Sequence, residues 1–372
     1  MKKICFLLGH YFKYSKGGAE LQASLIANEL IKKYEIHYIF IRPKNLKKNS
    51  ILKNDNNIHL YTLKNYDYKI FGKFHFLNFN ELNKLLYIIN PDYIYQRGDR
   101  AHLGIAANWC KKNNKKLILG ISMDYNCYKK EIFNLKTNFL SYPCNIINGF
   151  FTLNGIQSTD IIIAQTNYQK HLLKKNFNKD SKIIYNGIPT PNPPFIKENP
   201  PIISWIANIK KLKRPEIFVK LAKEFENINV KFIFAGRPST GTYQNNIEEK
   251  SKKLSNLTYL GEISLQETNE LLSKSSLLIN TSITEGFSNT YLQAWMRETP
   301  VVTLNCDPDA IIKKNEIGYH SKTFERLVKD VKYLIENDKI RKEMGMKARK
   351  YVINNHDIKK MGKEYYKILE GL

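Results

Sequence analysis

The stretch Thr281-Ser-Ile-Thr-Glu-Gly-Phe-Ser-Asn-Thr-Tyr-Leu-Gln-Ala-Trp-Met-Arg-Glu-Thr-Pro-Val-Val302 places a carboxylate, Glu285, between an apolar segment and a predicted helix. Ser276-Leu-Leu-Ile-Asn280 is predicted to be a buried strand, the helix runs from about Gly286 to Arg297, and Pro300-Val-Val-Thr-Leu304 begins the next strand. Parallel sheets built from such units bind ligands outside the carboxyl ends of their strands. The stretch therefore predicts an α/β fold with a polar site at Glu285.

Backbone amides next to Glu285 supply the second part of this predicted site. The N–H groups of Gly286, Phe287 and Ser288 are expected at the helix N-terminus, which attracts anions and sugar oxygens. Asn289 and Gln293 are one turn apart and share a helix face. The alternative is that Glu285 only caps its helix, because acidic residues are common at helix starts.

Chain length and proline content predict two domains. A chain of 372 residues with 42% hydrophobic residues exceeds the usual size of one hydrophobic core. Proline recurs in Asn186-Gly-Ile-Pro-Thr-Pro-Asn-Pro-Pro194 and again in Asn199-Pro-Pro201, which stops helices and central strands. We predict one domain over residues 1–187, a second over 188–350, and a C-terminal helix over 351–372 that packs back on the first.

Charge and cysteine usage bear on partners and compartment. The net charge is +25, and residues 1–187 carry 29 Lys and Arg against 12 Asp and Glu. Such a field favours anionic partners, although a Lys-rich and Asn-rich composition alone also keeps a protein soluble. The five cysteines are widely spaced and odd in number, which argues against a disulfide framework or zinc cluster. We expect a cytoplasmic protein, peripheral at most at an anionic membrane surface.

Apolar segments alternate with helical patterns along both halves. The predicted strands are residues 4–8, 36–41, 92–96, 116–121 and 160–164, then 202–207, 230–235, 257–260, 277–280 and 301–304. Ser264 and Glu267 form a capping box, and residues 324–372 have a helical pattern with Gly345 as the main interruption. Residues 59–90 are rich in Tyr, Phe and Lys, and are either an interfacial segment or a half-buried excursion of the domain.

Five motifs together resemble the GT-B family of retaining nucleotide-sugar glycosyltransferases, the glycosyl transferases group 1. They are the Glu285 stretch and four others: Gly17-Gly-Ala-Glu-Leu21, Asn186-Gly-Ile188, Trp205-Ile-Ala-Asn-Ile-Lys-Lys-Leu-Lys-Arg-Pro215 and Phe234-Ala-Gly-Arg237. The resemblance implies two Rossmann-like, doubly wound parallel-sheet domains that face each other across a cleft. It covers nearly the whole chain.

The resemblance also implies roles for residues that bind the donor. Gly17 and Gly18 would lie against the donor diphosphate, and Lys213 would neutralise the departing phosphate. Glu285 would hold the donor sugar, and Gln293 the ribose hydroxyls. Two positions depart from the family: Asn208 replaces an arginine and Gln293 replaces a second glutamate. Either Arg237 or Arg214 compensates for Asn208, or the affinity for the donor is lower. At position 293 an amide oxygen still accepts a hydroxyl hydrogen bond.

Candidate acceptor and catalytic residues lie in the first half. Asp124 follows a predicted strand where the family presents a catalytic or acceptor-positioning residue, and a turn-forming or capping role is the alternative. His10 is a comparable candidate. Arg97 and Arg100 could bind an anionic acceptor, or they could be surface ion pairs.

The resulting hypothesis is transfer of a sugar from a UDP-sugar or GDP-sugar to a saccharide or lipid-linked saccharide in bacterial surface glycan synthesis. Asp307-Pro-Asp309 is interpreted as a loop, so we expect neither a metal nor another cofactor. A sugar-nucleotide epimerase or phosphorylase of the same fold is one alternative. A noncatalytic binder of anionic glycan or nucleic acid is another, although no nucleic-acid motif accompanies the charge.

Overall fold

The computed structural model describes residues 1–15, 17–43, 46, 51–68, 70–98, 101–133, 139–238 and 242–372. It divides into two compact units, one formed by Met1–Gly187 with Ile358–Leu372 and the other by Ile188–Asp357. Each unit is an α/β structure with its own sheet and cores.

Unit 1 is built on an eight-stranded sheet. The strands of this sheet are β1 (Lys3–Leu8), β2 (Glu35–Ile41), β3 (Ile51–Asp55), β4 (Ile58–Leu63), β7 (Tyr93–Arg97), β8 (Lys116–Gly120), β9 (Ile161–Ala164) and β10 (Lys182–Ile183). Two further strands, β5 (Asp67–Tyr68) and β6 (Gly72–Lys73), form a separate hairpin. The sheet order is β10-β9-β8-β7-β1-β2-β4-β3, and every pair is parallel except β3 with β4. The central strands are buried on both faces, as their continuous apolar sequences predict.

Helices of unit 1 cover the two faces of this sheet. They are α1 (Gly18–Leu30), α2 (Phe79–Ile89), α3 (Ala101–Asn113), α4 (Lys129–Phe133), α5 (Tyr142–Ser158) and α6 (Asn167–Phe177). Two hydrophobic cores result, one beneath each layer of helices. Single-turn 3-10 helices lie at His75–Asn78, Asp124–Cys127 and Phe139–Ser141.

Unit 2 contains a wholly parallel six-stranded sheet. Its elements are β11 (Ile202–Ile206), α7 (Pro215–Glu224), β12 (Lys231–Ala235), α8 (Thr242–Ser251), β13 (Leu257–Tyr259), α9 (Leu265–Lys274), β14 (Leu277–Asn280), α10 (Asn289–Met296), β15 (Val301–Thr303), α11 (Ile311–Asn315), β16 (Gly318–His320), α12 (Phe324–Glu336) and α13 (Asp338–Asn355). The sheet order is β13-β12-β11-β14-β15-β16. The predicted capping box at Ser264 and Glu267 opens α9.

The last helix, α14 (Ile358–Glu370), belongs to unit 1. Tyr366 Oη donates to the carbonyl of Glu29 in α1 at 2.6 Å, and Tyr93 Oη donates to the carbonyl of Leu369 at 2.8 Å. The segment that returns to unit 1 therefore begins at Ile358, where the sequence had suggested residue 351, because α13 continues to Asn355 within unit 2.

Gly345 does not interrupt the C-terminal helices, contrary to the sequence-based prediction. It lies inside α13, and the breaks fall at Asn337 and at His356–Asp357. A Cβ atom on Gly345 would lie 2.3 Å from the carbonyl oxygen of Glu298. The glycine therefore permits α13 to approach the backbone that follows α10.

Candidate active site

The order of strands in unit 2 marks the place where a ligand is expected. Strands β11 and β14 are neighbours, and the chain winds from them in opposite directions towards the two edges of the sheet. The loops that follow these two strands diverge and leave a crevice at their carboxyl ends, which is where doubly wound sheets bind ligands. Lys213 lies in the loop after β11 and Glu285 in the loop after β14.

Hydrogen bonds join these two loops. The hydroxyl of Thr281 lies 2.7 Å from the carbonyl of Lys213 and 2.9 Å from that of Arg214, and it accepts a hydrogen bond from Trp205 Nε1 at 2.9 Å. The N–H of Ile283 donates to the carbonyl of Leu212 at 2.9 Å. Because Thr281 and Trp205 are buried, the loops are held on the core rather than on the surface.

Three donors converge on one oxygen of Glu285. Lys213 Nζ lies 2.5 Å from Oε1, Ser282 Oγ 2.7 Å and Asn280 Nδ2 3.3 Å. The side chains of Lys213 and Glu285 are 19% and 8% exposed, so the ion pair is largely shielded from water. Within the described part of the chain, no donor is bonded to Oε2, so this oxygen keeps its capacity to accept a hydrogen bond from a ligand hydroxyl.

Glu285 does not cap α10. The helix begins at Asn289 with Ser288 at its N-cap, three residues later than the sequence predicts. Residues 281–285 are engaged with the β11 loop, and Phe287 is buried against the ring of His356 at 4.8 Å between centroids. The amides of Gly286, Phe287 and Ser288 therefore precede the first helical turn, and the capping alternative for Glu285 does not hold.

Asn208 and Arg237 lie on adjacent segments at the same edge of the sheet. Asn208 is half-buried after β11, and Arg237 is exposed after β12. The N–H of Ile209 donates to the carbonyl of Arg237 at 3.0 Å, and a Cβ on Gly236 would lie 1.7 Å from the carbonyl oxygen of Ala207. The glycine thus brings the segment of Arg237 against the segment of Asn208.

Gln293 makes its hydrogen bond outside the cluster of donors around Glu285. It is buried on α10, and its Nε2 donates to Asn269 Oδ1 of α9 at 3.4 Å, whereas Asn289 is half-buried in the first turn. The structure therefore brings together Lys213 and Glu285 but gives Gln293 a different partner. Its proposed role toward a ribose stays a prediction.

In unit 1 the glycine motif and His10 follow β1, which neighbours β7 at that sheet's own change of winding direction. Gly17 is the N-cap of α1, and a Cβ there would lie 2.1 Å from Glu20 Oε2. Gly18 is the first helical residue. His10 is half-buried, and its carbonyl accepts a hydrogen bond from Tyr38 Oη at 3.4 Å. Donor and acceptor roles for these residues stay predictions.

Arg97 is buried and hydrogen-bonded within unit 1, and its role toward an anionic acceptor stays a prediction. It is 6% exposed, and its guanidinium donates to Tyr95 Oη at 3.1 Å and to Asn186 Oδ1 at 2.8 Å. It therefore ties the connection at Asn186 to the end of β7. Arg100 lies outside the described residues.

Asp124 begins a 3-10 helix after β8 and is half-buried. Its Oδ1 accepts a hydrogen bond from Gln169 Nε2 of α6 at 3.0 Å. The carboxylate thus helps to fix α6, in line with the alternative that was left open for it, and a catalytic role stays a prediction.

Asp307 caps a helix. Its carboxylate accepts hydrogen bonds from the N–H groups of Ile312 at 2.8 Å and Lys313 at 3.2 Å, at the start of α11. The predicted loop at Asp307–Asp309 contains a short 3-10 helix, Pro308–Ala310, in which Asp309 has a φ of 52°.

Sequence reasoning missed Asn280, Thr281 and Ser282. Asn280 is the last residue of β14, whose other positions are apolar, Thr281 and Ser282 follow it directly, and all three are buried. Buried polar groups need partners. Three of them at the carboxyl end of a predicted central strand were a signal that this loop is cross-linked.

Residues 190–351 match the family described as glycosyl transferases group 1. The matched residues, all of which lie in unit 2, are similar to this family. The match contains every element from β11 to α12, and both Lys213 and Glu285.

Two curated relatives extend this comparison. Glycosyltransferase 1 domain-containing protein 1 of Xenopus tropicalis is 25% identical over 156 residues, which are 41% of this chain and 45% of that protein. Uncharacterized glycosyltransferase MJ1069 of Methanocaldococcus jannaschii is 25% identical over 240 residues, or 58% of this chain and 59% of its own length. This chain thus spans about half the length of the curated relatives it matches.

A solved structure gives the fold. Anabaena HepE in complex with UDP and glucose superimposes with a TM-score of 0.71 over 100% of both chains, at 15% identity. The chain has the GT-B fold, as the sequence motifs implied.

Proposed function

We propose that the protein transfers a sugar from a nucleotide-sugar donor to a saccharide or lipid-linked saccharide acceptor in the synthesis of a bacterial surface glycan. The observation that carries the proposal is the Lys213–Glu285 pair at the point where the winding of the unit 2 sheet reverses. An ammonium and a carboxylate in one crevice match the two ends of a nucleotide sugar, a diphosphate and a polyhydroxyl ring.

The chemistry assigns different tasks to the two residues. The leaving nucleotide diphosphate carries the negative charge that develops when the glycosyl bond breaks, and Lys213 stabilises it. Glu285 accepts a hydrogen bond from a sugar hydroxyl through Oε2 while Oε1 stays anchored. The departing phosphate oxygen takes the proton of the acceptor hydroxyl on the same face. This route retains the anomeric configuration and requires neither a protein base nor a metal.

A UDP-sugar is our first choice of donor. The HepE structure, which shares the fold, contains UDP and glucose. The transfer of that ligand to this chain is a proposal, because 15% identity does not fix the residues of a pocket.

The test is nucleotide release by the purified protein over a panel of UDP-, GDP-, ADP- and dTDP-sugars, with and without bacterial lipid and oligosaccharide extracts, in EDTA. We expect release from one donor that increases with acceptor. NMR of the product should show the donor's anomeric configuration. Product formed without acceptor would indicate an epimerase, and dependence on inorganic phosphate a phosphorylase.

Variants connect that activity to the site. Lys213→Ala and Glu285→Ala should each lower kcat/KM by about 100-fold or more. Lys210→Ala and Glu343→Gln are matched controls that should retain activity. Lys210 is exposed in the same loop as Lys213, and Glu343 is on the exposed side of α13. Near-normal turnover in both site variants would overturn the assignment.

A further inference from the structure

Exposed apolar side chains are concentrated on three neighbouring elements of unit 1. The elements are the β5–β6 hairpin, the 3-10 helix Phe139–Ser141 and the first half of α5. Their exposed large hydrophobic residues are Tyr68 (50%), Ile70 (54%), Phe71 (51%), Phe139 (71%), Leu140 (41%), Ile146 (39%), Ile147 (39%) and Phe150 (63%). We call these eight residues the apolar patch. Contiguous apolar surface of this kind marks an interaction site.

Direct contacts hold these elements together. The carbonyl of Lys73 in the hairpin accepts hydrogen bonds from Asn148 Nδ2 at 2.5 Å and from Cys144 Sγ at 3.0 Å, both on α5. A Cβ on Gly72 would lie 3.1 Å from the Cβ of Ser141. The hairpin thus lies against α5 and the 3-10 helix, so the patch is one surface and not separate exposed residues.

Helix α5 has an unusual composition for a surface helix. Its 17 residues contain no Lys, Arg, Asp or Glu, in a chain in which 25% of residues are charged. Its outward positions Pro143, Ile146, Ile147 and Phe150 recur at helical spacing, whereas its inward positions are small residues such as Gly149 and Gly155. The helix therefore presents apolar side chains on its outer face as well as packing inward.

Charge decides between the possible occupants of this surface. Unit 1 holds 33 Lys and Arg against 14 Asp and Glu, a net charge of +19. Exposed lysines border the patch at Lys73 in β6 and at Lys129 and Lys130 in α4, which contacts α5 through Phe133. Asp67 lies 3.8 Å from Lys73 and offsets part of the local charge. If a second copy docked here, two units that each carry a net charge of +19 would repel each other, whereas an anionic bilayer is attracted by the same positive field.

We propose that the apolar patch docks unit 1 on an anionic lipid bilayer, with its aromatic and aliphatic side chains in the headgroup region and its lysines on the acidic headgroups. Apolar burial combined with electrostatic attraction is the two-signal combination that peripheral membrane binding requires. None of the described helices is long and apolar enough to span a bilayer. The docking therefore takes place from one side.

The test is flotation of the full chain with vesicles of phosphatidylcholine containing 30% phosphatidylglycerol, compared with phosphatidylcholine alone. The triple variant Phe71→Gln, Phe139→Gln, Phe150→Gln should reduce the partition coefficient on anionic vesicles by about tenfold or more. Ile196→Gln with Met346→Gln is the matched control, because these residues of unit 2 are 77% and 55% exposed. Binding should also weaken in high salt.

Three results would overturn the proposal: no flotation of the unaltered chain, equal flotation of the triple variant, or equal loss in the control variant. Thermal unfolding of the triple variant should match that of the unaltered chain, since the three side chains are exposed. A change from dimer to monomer in the triple variant, measured by light scattering, would assign the patch to self-association instead. The readout does not depend on enzymatic activity, so its failure is separate from failure of the proposed function.

Discussion

Lys213 Nζ lies 2.5 Å from Glu285 Oε1, although the two residues are 72 positions apart and follow different strands. The pair joins the two loops that diverge at the centre of the unit 2 sheet. Each residue therefore holds the other in place, and a ligand phosphate that draws Lys213 away must replace an existing ion pair. Under the proposed function, the donor diphosphate competes with the Glu285 carboxylate for the Lys213 ammonium.

The first prediction concerns this coupling. Removing one partner leaves the other largely buried and uncompensated, which is more costly than removing both. Lys213→Met and Glu285→Gln should each lower kcat/KM by about 100-fold. The kcat/KM of the double variant should be no lower than that of the less active single variant. A double-mutant cycle on kcat/KM measures this. Strictly additive losses would show that the two residues act independently.

The second prediction concerns Ser282, which donates to Glu285 Oε1 at 2.7 Å and is itself buried. Ser282→Ala leaves Lys213 and Asn280 on that oxygen but removes one restraint on the carboxylate. We expect kcat to fall about tenfold, which corresponds to about 1.4 kcal/mol of transition-state stabilisation. The inhibition constant of the free nucleotide should not change, because Ser282 acts through the carboxylate that we propose binds the sugar. Parallel weakening of nucleotide binding would indicate general damage to the loop.

The central strands and the domain boundary are predictable from sequence because each depends on local pattern. Continuous apolar runs such as Ile36–Ile41 gave strands that match the structure closely, and the prolines after Asn186 gave the connection between units. Short edge strands such as β10 and β16 were not predicted, since two or three residues carry no periodicity.

The start of α10 and the partners of Glu285 could not be predicted from local sequence. Gly286 to Ser288 have no residue that forbids a helix, and contacts with the distant β11 loop through Thr281, Ile283 and Glu285 hold the preceding segment out of the helix. The surroundings of Arg97 likewise could not be predicted from local sequence. An arginine at a strand end suggests a surface ligand, and only the fold shows that Asn186 and Tyr95 surround it.

The third prediction tests whether Arg237 compensates for Asn208, at the position where the resemblance implies an arginine. Asn208→Arg should lower the KM for the donor several-fold, because a second guanidinium can bind the diphosphate bidentately. Arg237→Ala should raise that KM about tenfold in the natural sequence and by less in the Asn208→Arg background. The four KM values form the measurement. An equal effect of Arg237→Ala in both backgrounds would refute compensation.

The fourth prediction concerns Gly345. Gly345→Ala should destabilise unit 2 by about 1–3 kcal/mol, although alanine favours helices, because its Cβ would lie 2.3 Å from the carbonyl oxygen of Glu298. Urea unfolding followed by the fluorescence of Trp295 and Trp205 in unit 2 measures the change. Lys350→Ala, on the same helix, is a control that should have little effect. A stabilised Gly345→Ala variant would mean that α13 can move away without cost.

The fifth prediction is a pH dependence that originates in unit 1. Burial, with a smaller contribution from the neighbouring His59 stacked on its ring, lowers the pKa of His37 to about 4, although Glu35 Oε1 lies 2.9 Å from its Nε2 and acts in the opposite direction. The unfolded chain binds a proton there near pH 6.5 and the folded chain only near pH 4, so stability falls as the pH drops through this window. His37→Gln should lose correspondingly less stability between pH 6.5 and pH 4.5 in urea unfolding. An NMR titration in which the His37 ring protonates near pH 6.5 would contradict the assignment, because the folded and unfolded chains would then bind the proton equally.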